Sequence, residues 1–221
     1  KIDKYCVVDF STFEKVINEV GGIEIDLEEK EADYLNTTNY ISKKKYRNVK
    51  AGKHILNGNQ ALGYSRIRYV SNSRYGDGEF GRTGRQRAVL EATYKKIIRQ
   101  NPMKILDIGF NALDDVSTDM NASYIKGLVT SVVQFGVPKV QQMRIPIEGT
   151  YMQGRAQSGM FVFFINFDAN KAAMEHFIFS KGKEEDFASK FGGYQNIETY
   201  GYPAKPDSED ASESSPGSYK R

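Results

Sequence analysis

The stretch YSRIRYVSNSRYGDGEFGRTGRQR, residues 64–87, places six arginines within 24 positions of a chain whose formal net charge is only +3. Its apolar and β-favouring residues predict a strand over Ser65–Val70. The run QRAVLEATYKKIIRQ that follows predicts a long amphipathic helix, stopped before Pro102. Between the two, SNSRYGDGE is polar and glycine-bearing, the composition of a loop able to fold over a ligand. Strands and helices interspersed in this way give an α/β or α+β class, with a mixed sheet between helices.

Residues two apart on a strand share a face, so Arg66 and Arg68 are expected to project together about 7 Å apart. Ile67 then belongs to the core. On the helix, Arg82, Arg85 and Gln86 are related by three and four positions and so share a side. A guanidinium offers a planar fork of donors that matches phosphate geometry, and a helix start adds free amides and a positive dipole end. Four such arginines suit a pyrophosphate. Asp77 and Glu79 are placed to orient an arginine, or to help hold a divalent cation that phosphates also ligate. The competing reading is a solvated face whose arginines pair with local carboxylates, and spacing alone leaves both open. Arg74 and Arg87 read as surface residues.

Outward from this stretch, Ile2–Phe10 predicts a strand, and Ser11 with Glu14 a capping box for a helix over Thr12–Val20. The alternation in GIEIDL predicts a half-exposed strand. Residues 28–50 read as a polar excursion, with Lys43–Lys45 a solvated turn that needs no role. Asn59–Tyr64 predicts a short helix, and further helices are expected over Met103–Leu113 and over Ala122–Phe135 after a cap at Asn121. VQQMRIPI and MFVFFINF are strand candidates, and Asp168 is expected to cap a last helix ending at Phe179. The whole predicts a mixed central β-sheet flanked by helices over residues 1–201. The Ser/Pro/acidic tail 202–221 is too polar to order itself.

Hydrophobic content of 39% and charged content of 27% describe a globular protein. A net charge of +3 without a broad basic stripe argues against nucleic acid as partner. No apolar run is long enough to cross a bilayer as a helix. The lone cysteine, Cys6, rules out an intramolecular disulfide and is expected as a buried strand thiol. His54 and His176 lie far apart, and phosphate-loop, CxxC and HxxxH spacings are absent. The chain opens on a strand pattern without an initiator methionine, as expected of part of a longer protein.

AGKHILNGNQALGYSRIRY followed by DGEFGRTGRQR resembles the central signature of the LytR-CpsA-Psr (LCP) family. The match takes in Gly52, Leu56, Asn57, Gly58, Gln60, Ala61, Leu62, Tyr64, Arg66 and Arg68, then Gly81, Arg82, Arg85 and Gln86. The opening IDKYCVVDFSTFEKVINEVGGIEIDL and the later IPIEGTY and INFDANKAAMEHFIF extend the likeness over most of residues 1–180.

The resemblance implies an LCP-like αβα domain that works as a phosphotransferase at the extracytoplasmic face of a Gram-positive membrane. It would move an anionic glycopolymer of teichoic acid or capsule type from a polyprenyl-pyrophosphate carrier to peptidoglycan. The family's paired arginines fall on Arg66 and Arg68, and its helix arginine and glutamine on Arg82 and Gln86. These are the implied catalytic and pyrophosphate-holding residues, with Arg85 in support and Glu79 and Asp77 as orienting carboxylates. Magnesium is the implied counter-ion. Glu79 stands where the family usually has Asp, and the family's metal carboxylates and N-terminal membrane anchor would lie before Lys1. An alternative is a non-catalytic module that binds polyprenyl phosphate or wall polymer.

Overall fold

The computed structural model describes residues 2–113, 115–135, 140–156, 158–180 and 187–191. It divides the chain into two compact units, Lys1–Val140 and Gln141–Arg221. The expected tail, residues 202–221, lies outside the described residues.

In the first unit, strand β1 (Cys6–Val8) is shorter than expected and exposed throughout. It pairs antiparallel with β4 (Val116–Thr118), and Cys6 is exposed rather than buried. Helix α1 (Phe10–Glu19) starts two residues before the expected Thr12, because Asp9 and not Ser11 caps it. The Asp9 carboxylate accepts from the Thr12 amide at 2.7 Å, and that bond holds its pKa below the ordinary value. The alternation in GIEIDL becomes β2 (Ile23–Leu27), with Ile23, Ile25 and Leu27 buried. Its antiparallel partner is β3 (Gly52–Leu56), which includes His54.

The polar excursion contains a helix, α2 (Glu29–Thr37), that its composition hid. Glu28 and Glu31 form a capping box at its start, and Ala32 and Leu35 enter the core. Helix α3 (Gly58–Ser65) is wholly buried, and α4 (Gly78–Ile97) runs twenty residues. Two further helices, α5 (Pro102–Leu113) and α6 (Ala122–Phe135), lie where their apolar spacing puts them. The core gathers Ile17, Ile23, Leu35, Ile41, Leu56, Tyr64, Ile67 and Val89 between α1, β2, α2, α3 and α4.

In the second unit β5 (Tyr151–Arg155) and β6 (Phe161–Ile165) form a hairpin, followed by α7 (Phe167–Phe179) and the short α8 (Phe187–Lys190). VQQMRIPI is not a strand, and the Ile147 amide bonds to the Asn170 side chain at 2.9 Å instead of to a ladder. Asn166, not Asp168, caps α7. His176 packs on the Phe187 ring at 5.5 Å.

The mixture of helix and strand agrees with the α/β class. Among the described residues the strands form three two-stranded antiparallel ladders, each of three to five residues per strand.

Candidate functional site

The site is built from the end of α3, the segment 66–77 and the start of α4. Asn57 and Gln60 begin α3 reciprocally: the Asn57 side chain accepts from the Gln60 amide, and the Gln60 side chain from the Asn57 amide. The helix runs from Gly58 to Ser65, with Arg66 as its C-cap residue. The expected strand at Ser65–Val70 does not form. The carbonyls of Ile67 and Val70 accept from the Arg85 guanidinium at 3.3 and 2.6 Å, not from a neighbouring strand. Ile67 is buried in the core, as expected, while Arg66 and Arg68 are exposed.

Two arginines meet at one carboxylate. Glu79 bridges Arg68, whose Nε lies 2.7 Å from one oxygen, and Arg82, whose Nη2 lies 2.5 Å from the other. Arg66 is held differently, with its guanidinium 5.9 Å from the Phe10 ring and 6.0 Å from the Tyr40 ring. Tyr40 in turn packs on Tyr34 at 5.1 Å, and burial followed by the Tyr40 hydroxyl pushes the Tyr34 pKa up to about 12. Burial inside one unit also raises the Tyr64 phenol well above its ordinary value. Gln86 is exposed on α4, one turn beyond Arg82. Asp77 is exposed at the N-cap position and makes no side-chain cap bond. Arg74 lies at the surface against Asp26, 3.2 Å away.

Arg85 does not join this group. It is fully buried, and its Nε pairs at 2.7 Å with Glu31, which is buried as well. The expected common side for Arg82, Arg85 and Gln86 is thus split, because the Arg85 side turns inward to the carbonyls of 67 and 70. Sequence reasoning missed Glu31. It sits in EEKEAD, where a carboxylate reads as solvated, and its partner lies 54 residues on.

Glu31 also receives the Asn72 side-chain amide at 2.8 Å, and Asn72 closes the loop. Its amide and carbonyl exchange 2.8 Å bonds with Gly76, and its side-chain oxygen accepts from the amides of Arg74 and Tyr75. The expected pliant loop is therefore a pinned turn, with Gly76 in the left-handed region at φ 78°. The motif glycines serve close packing. A Cβ on Gly81 would lie 2.7 Å from the Gly76 carbonyl, and one on Gly84 would lie 2.5 Å from the Tyr75 side chain.

Among the described residues, no group of three His, Cys, Asp or Glu side chains is arranged to hold a metal ion. Both Glu79 oxygens are committed to arginines. A magnesium ion at this site would take its oxygens largely from the diphosphate rather than from a carboxylate cluster among the described residues.

The model of the LytR-CpsA-Psr family matches residues 1–175, most of the chain. The chain belongs to the LytR-CpsA-Psr family. It is 34% identical over 150 residues to the Bacillus subtilis polyisoprenyl-teichoic acid–peptidoglycan teichoic acid transferase TagV, covering 67% of this chain and 36% of that protein. It is 28% identical over 180 residues to the Staphylococcus aureus regulatory protein MsrR, covering 79% and 50%. The crystal structure of B. subtilis TagV superposes with a TM-score of 0.53 at 29% identity, covering 77% of this chain and 61% of that one. The chain spans about half the length of MsrR and a smaller share of TagV.

Within the LytR-CpsA-Psr signature, Asn57 and Gln60 start α3, and Gly58 lets it sit on α1. A Cβ there would lie 2.2 Å from the Glu14 carbonyl oxygen. Much of the motif is therefore scaffold. Among its matched positions, the exposed polar groups at the α3–α4 junction are Arg66, Arg68 and Gln86, with Arg82 half-buried beside them.

Proposed function

We propose that this chain is part of a transferase that joins a phosphate-linked wall glycopolymer to peptidoglycan from a polyprenyl-pyrophosphate carrier. The observation that carries this reading is the set of arginines at the junction of α3 and α4, with Arg68 and Arg82 preset on Glu79 and Arg66 beside Phe10 and Tyr40. Family membership and the name of TagV, a teichoic acid transferase, support the substrate class.

In the proposed reaction an acceptor hydroxyl of peptidoglycan attacks the phosphorus that bears the sugar. The bridging P–O bond breaks, polyprenyl phosphate leaves, and the hydroxyl proton is released. Arg66 and Arg68 hold the diphosphate oxygens, and Arg82 compensates charge that grows on the leaving phosphate. Gln86 donates its side-chain amide to the same oxygens. Glu79 keeps the Arg68 and Arg82 forks in place before the ligand arrives, so less ordering is left for the bound state. Arg85 acts one layer below, through the backbone that carries Arg68. Magnesium is proposed as counter-ion to the diphosphate, and none of these steps depends on it.

The test is release of polyprenyl phosphate from a lipid-linked polymer donor in the presence of peptidoglycan. Turnover that disappears in the Arg66→Ala, Arg68→Ala double variant is the expected result. Donor binding that needs both arginines, without turnover under any metal condition, would favour the non-catalytic module. Donor binding indifferent to both arginines would refute the site.

A further inference from the structure

Between Tyr34 and Gly76 the chain has no Asp or Glu, yet it carries nine of the 31 Lys and Arg residues. Outside this stretch acidic residues outnumber basic ones, 28 to 22. Arg66, Arg68 and Arg74 account for three of the nine. Lys43, Lys44, Lys45, Arg47 and Lys50 cluster on the segment between α2 and β3. Lys43, Lys44, Lys45 and Lys50 are exposed, and none forms an ion pair among the described residues. Elsewhere Lys15, Lys30, Lys95 and Lys104 each meet a carboxylate.

Three consecutive lysines on an ordinary turn would be solvated and mobile. Here the backbone beneath them is clamped by amide side chains. Asn36 exchanges two bonds with Val49, at 2.8 and 2.9 Å. Asn59 accepts from the Lys43 amide at 3.1 Å, and Gln60 donates to the Tyr46 carbonyl at 2.9 Å. Arg47 turns its Nε back onto the Ile41 carbonyl. The segment is thus a built shelf.

The shelf runs along α3 toward the arginines. Lys43 sits at Asn59 in the first turn of α3, and the Tyr40 carbonyl packs on Gly63, 3.0 Å from where a Cβ would stand. Tyr40 then meets Arg66. Seven residues of helix separate Asn59 from Arg66, about 10 Å. The apolar residues of the shelf, Ile41 and Val49, are buried. The exposed side chains it presents are therefore mainly lysines, not the apolar residues that a membrane-binding loop inserts.

We propose that this lysine shelf is a second anionic subsite, taking the phosphates of successive repeats of a polyanionic glycopolymer whose diphosphate linkage lies at the arginines. The identity of the polymer rests on the proposed function above. The positive field of the shelf itself does not. A chain with one phosphate per repeat suits a cluster of lysines without carboxylate partners that leads toward a diphosphate site.

The test uses the full chain and two probes, poly(glycerol phosphate) of teichoic acid type and inorganic pyrophosphate, with phosphatidylglycerol vesicles as a third arm. The Lys43→Gln, Lys44→Gln, Lys45→Gln variant is expected to bind the polymer about tenfold more weakly, with a shallower salt dependence. Its pyrophosphate binding and thermal midpoint should match the wild type. A Lys44→Gln, Lys50→Gln variant should give a smaller loss of the same kind, and stands in if the triple variant unfolds. Polymer affinity equal to wild type overturns the proposal, and so does a loss confined to the vesicles. If polymer binding needs the lysines while pyrophosphate binding ignores Arg66 and Arg68, the shelf stands and the reading of the arginine site falls.

Discussion

Arg82 and Arg85 are three residues apart on one helix, and each meets a glutamate, yet the two pairs do opposite work. Arg82 shares Glu79 with Arg68 at the surface, with side chains about a third to a half exposed. Arg85 and Glu31 have no exposure at all. The exposed pairs have little desolvation to offset and are worth little to stability, so their charges stay available to a ligand. In the buried pair, each charge needs the other, and the remaining guanidinium donors end on carbonyls of the segment that carries Arg68. The same residue type thus supplies the binding face in one place and its foundation in the other.

The sharpest way to break this contrast is to remove one half of the buried pair. Glu31→Ala should destabilise the fold by about 3–5 kcal/mol, since it strands a buried guanidinium and frees Asn72 from its partner. The check is denaturant unfolding of the purified chain. A Glu31→Leu, Arg85→Met double variant should recover much of that loss, while leaving segment 66–77 without its anchor. A single variant as stable as the wild type would show that the pair is not the foundation claimed for it.

The exposed half is expected to respond in the other direction. Arg66→Ala with Arg68→Ala should leave unfolding within about 0.5 kcal/mol of wild type. Charge-assisted bonds at about 1.5–3 kcal/mol each predict pyrophosphate affinity lower by tenfold or more, read by calorimetry. A large drop in stability in that variant would erase the distinction between the two regions. Gly81 joins them, because its added Cβ would meet the Gly76 carbonyl at 2.7 Å and Arg85 Nη1 at 3.1 Å. Gly81→Ala should therefore cost about 1–3 kcal/mol and weaken the anion site together with the fold.

What the sequence disclosed follows the same division. Alternation located β2, and cap and stop residues with apolar spacing located α5 and α6. Arg66, Arg68, Arg82 and Glu79 were legible as a charged group; the structure joins Arg68 and Arg82 at Glu79 and leaves Arg66 at the end of α3, beside Phe10 and Tyr40. YSRIRY alternates as a strand would, but Asn57 and Gln60 start a helix that continues into its first two residues, Tyr64 and Ser65. Long-range polar burial left no trace in local pattern. Glu31, Asn72 and Arg85 each look solvated in their own neighbourhoods, and only the fold makes them one network. Helical spacing groups Arg85 with the ligand arginines, but it locates a side on the helix and not which side meets solvent.

The smallest expected effect concerns a second carboxylate, three residues before Glu31, that holds the same loop from outside. Glu28 accepts from the Ser73 hydroxyl at 2.5 Å and the Ser73 amide at 2.7 Å, and these bonds, the hydroxyl first, hold its pKa down to about 2. A carboxyl depressed in the folded state contributes stability above its unfolded value of 4.5, and loses it as pH falls through about 2. Because Glu28 is close to solvent, that contribution should stay below about 1 kcal/mol. Ser73→Ala removes the hydroxyl and keeps the amide, so an NMR titration should find Glu28 moved up toward 4.5, with unfolding at neutral pH nearly unchanged. Acid should then loosen segment 71–77 at a higher pH in the variant, while the buried Glu31–Arg85 pair still holds segment 66–70. If Glu28 titrates in the variant as in the wild type, the amide alone secures it, and the outer tie to the loop is backbone rather than side chain.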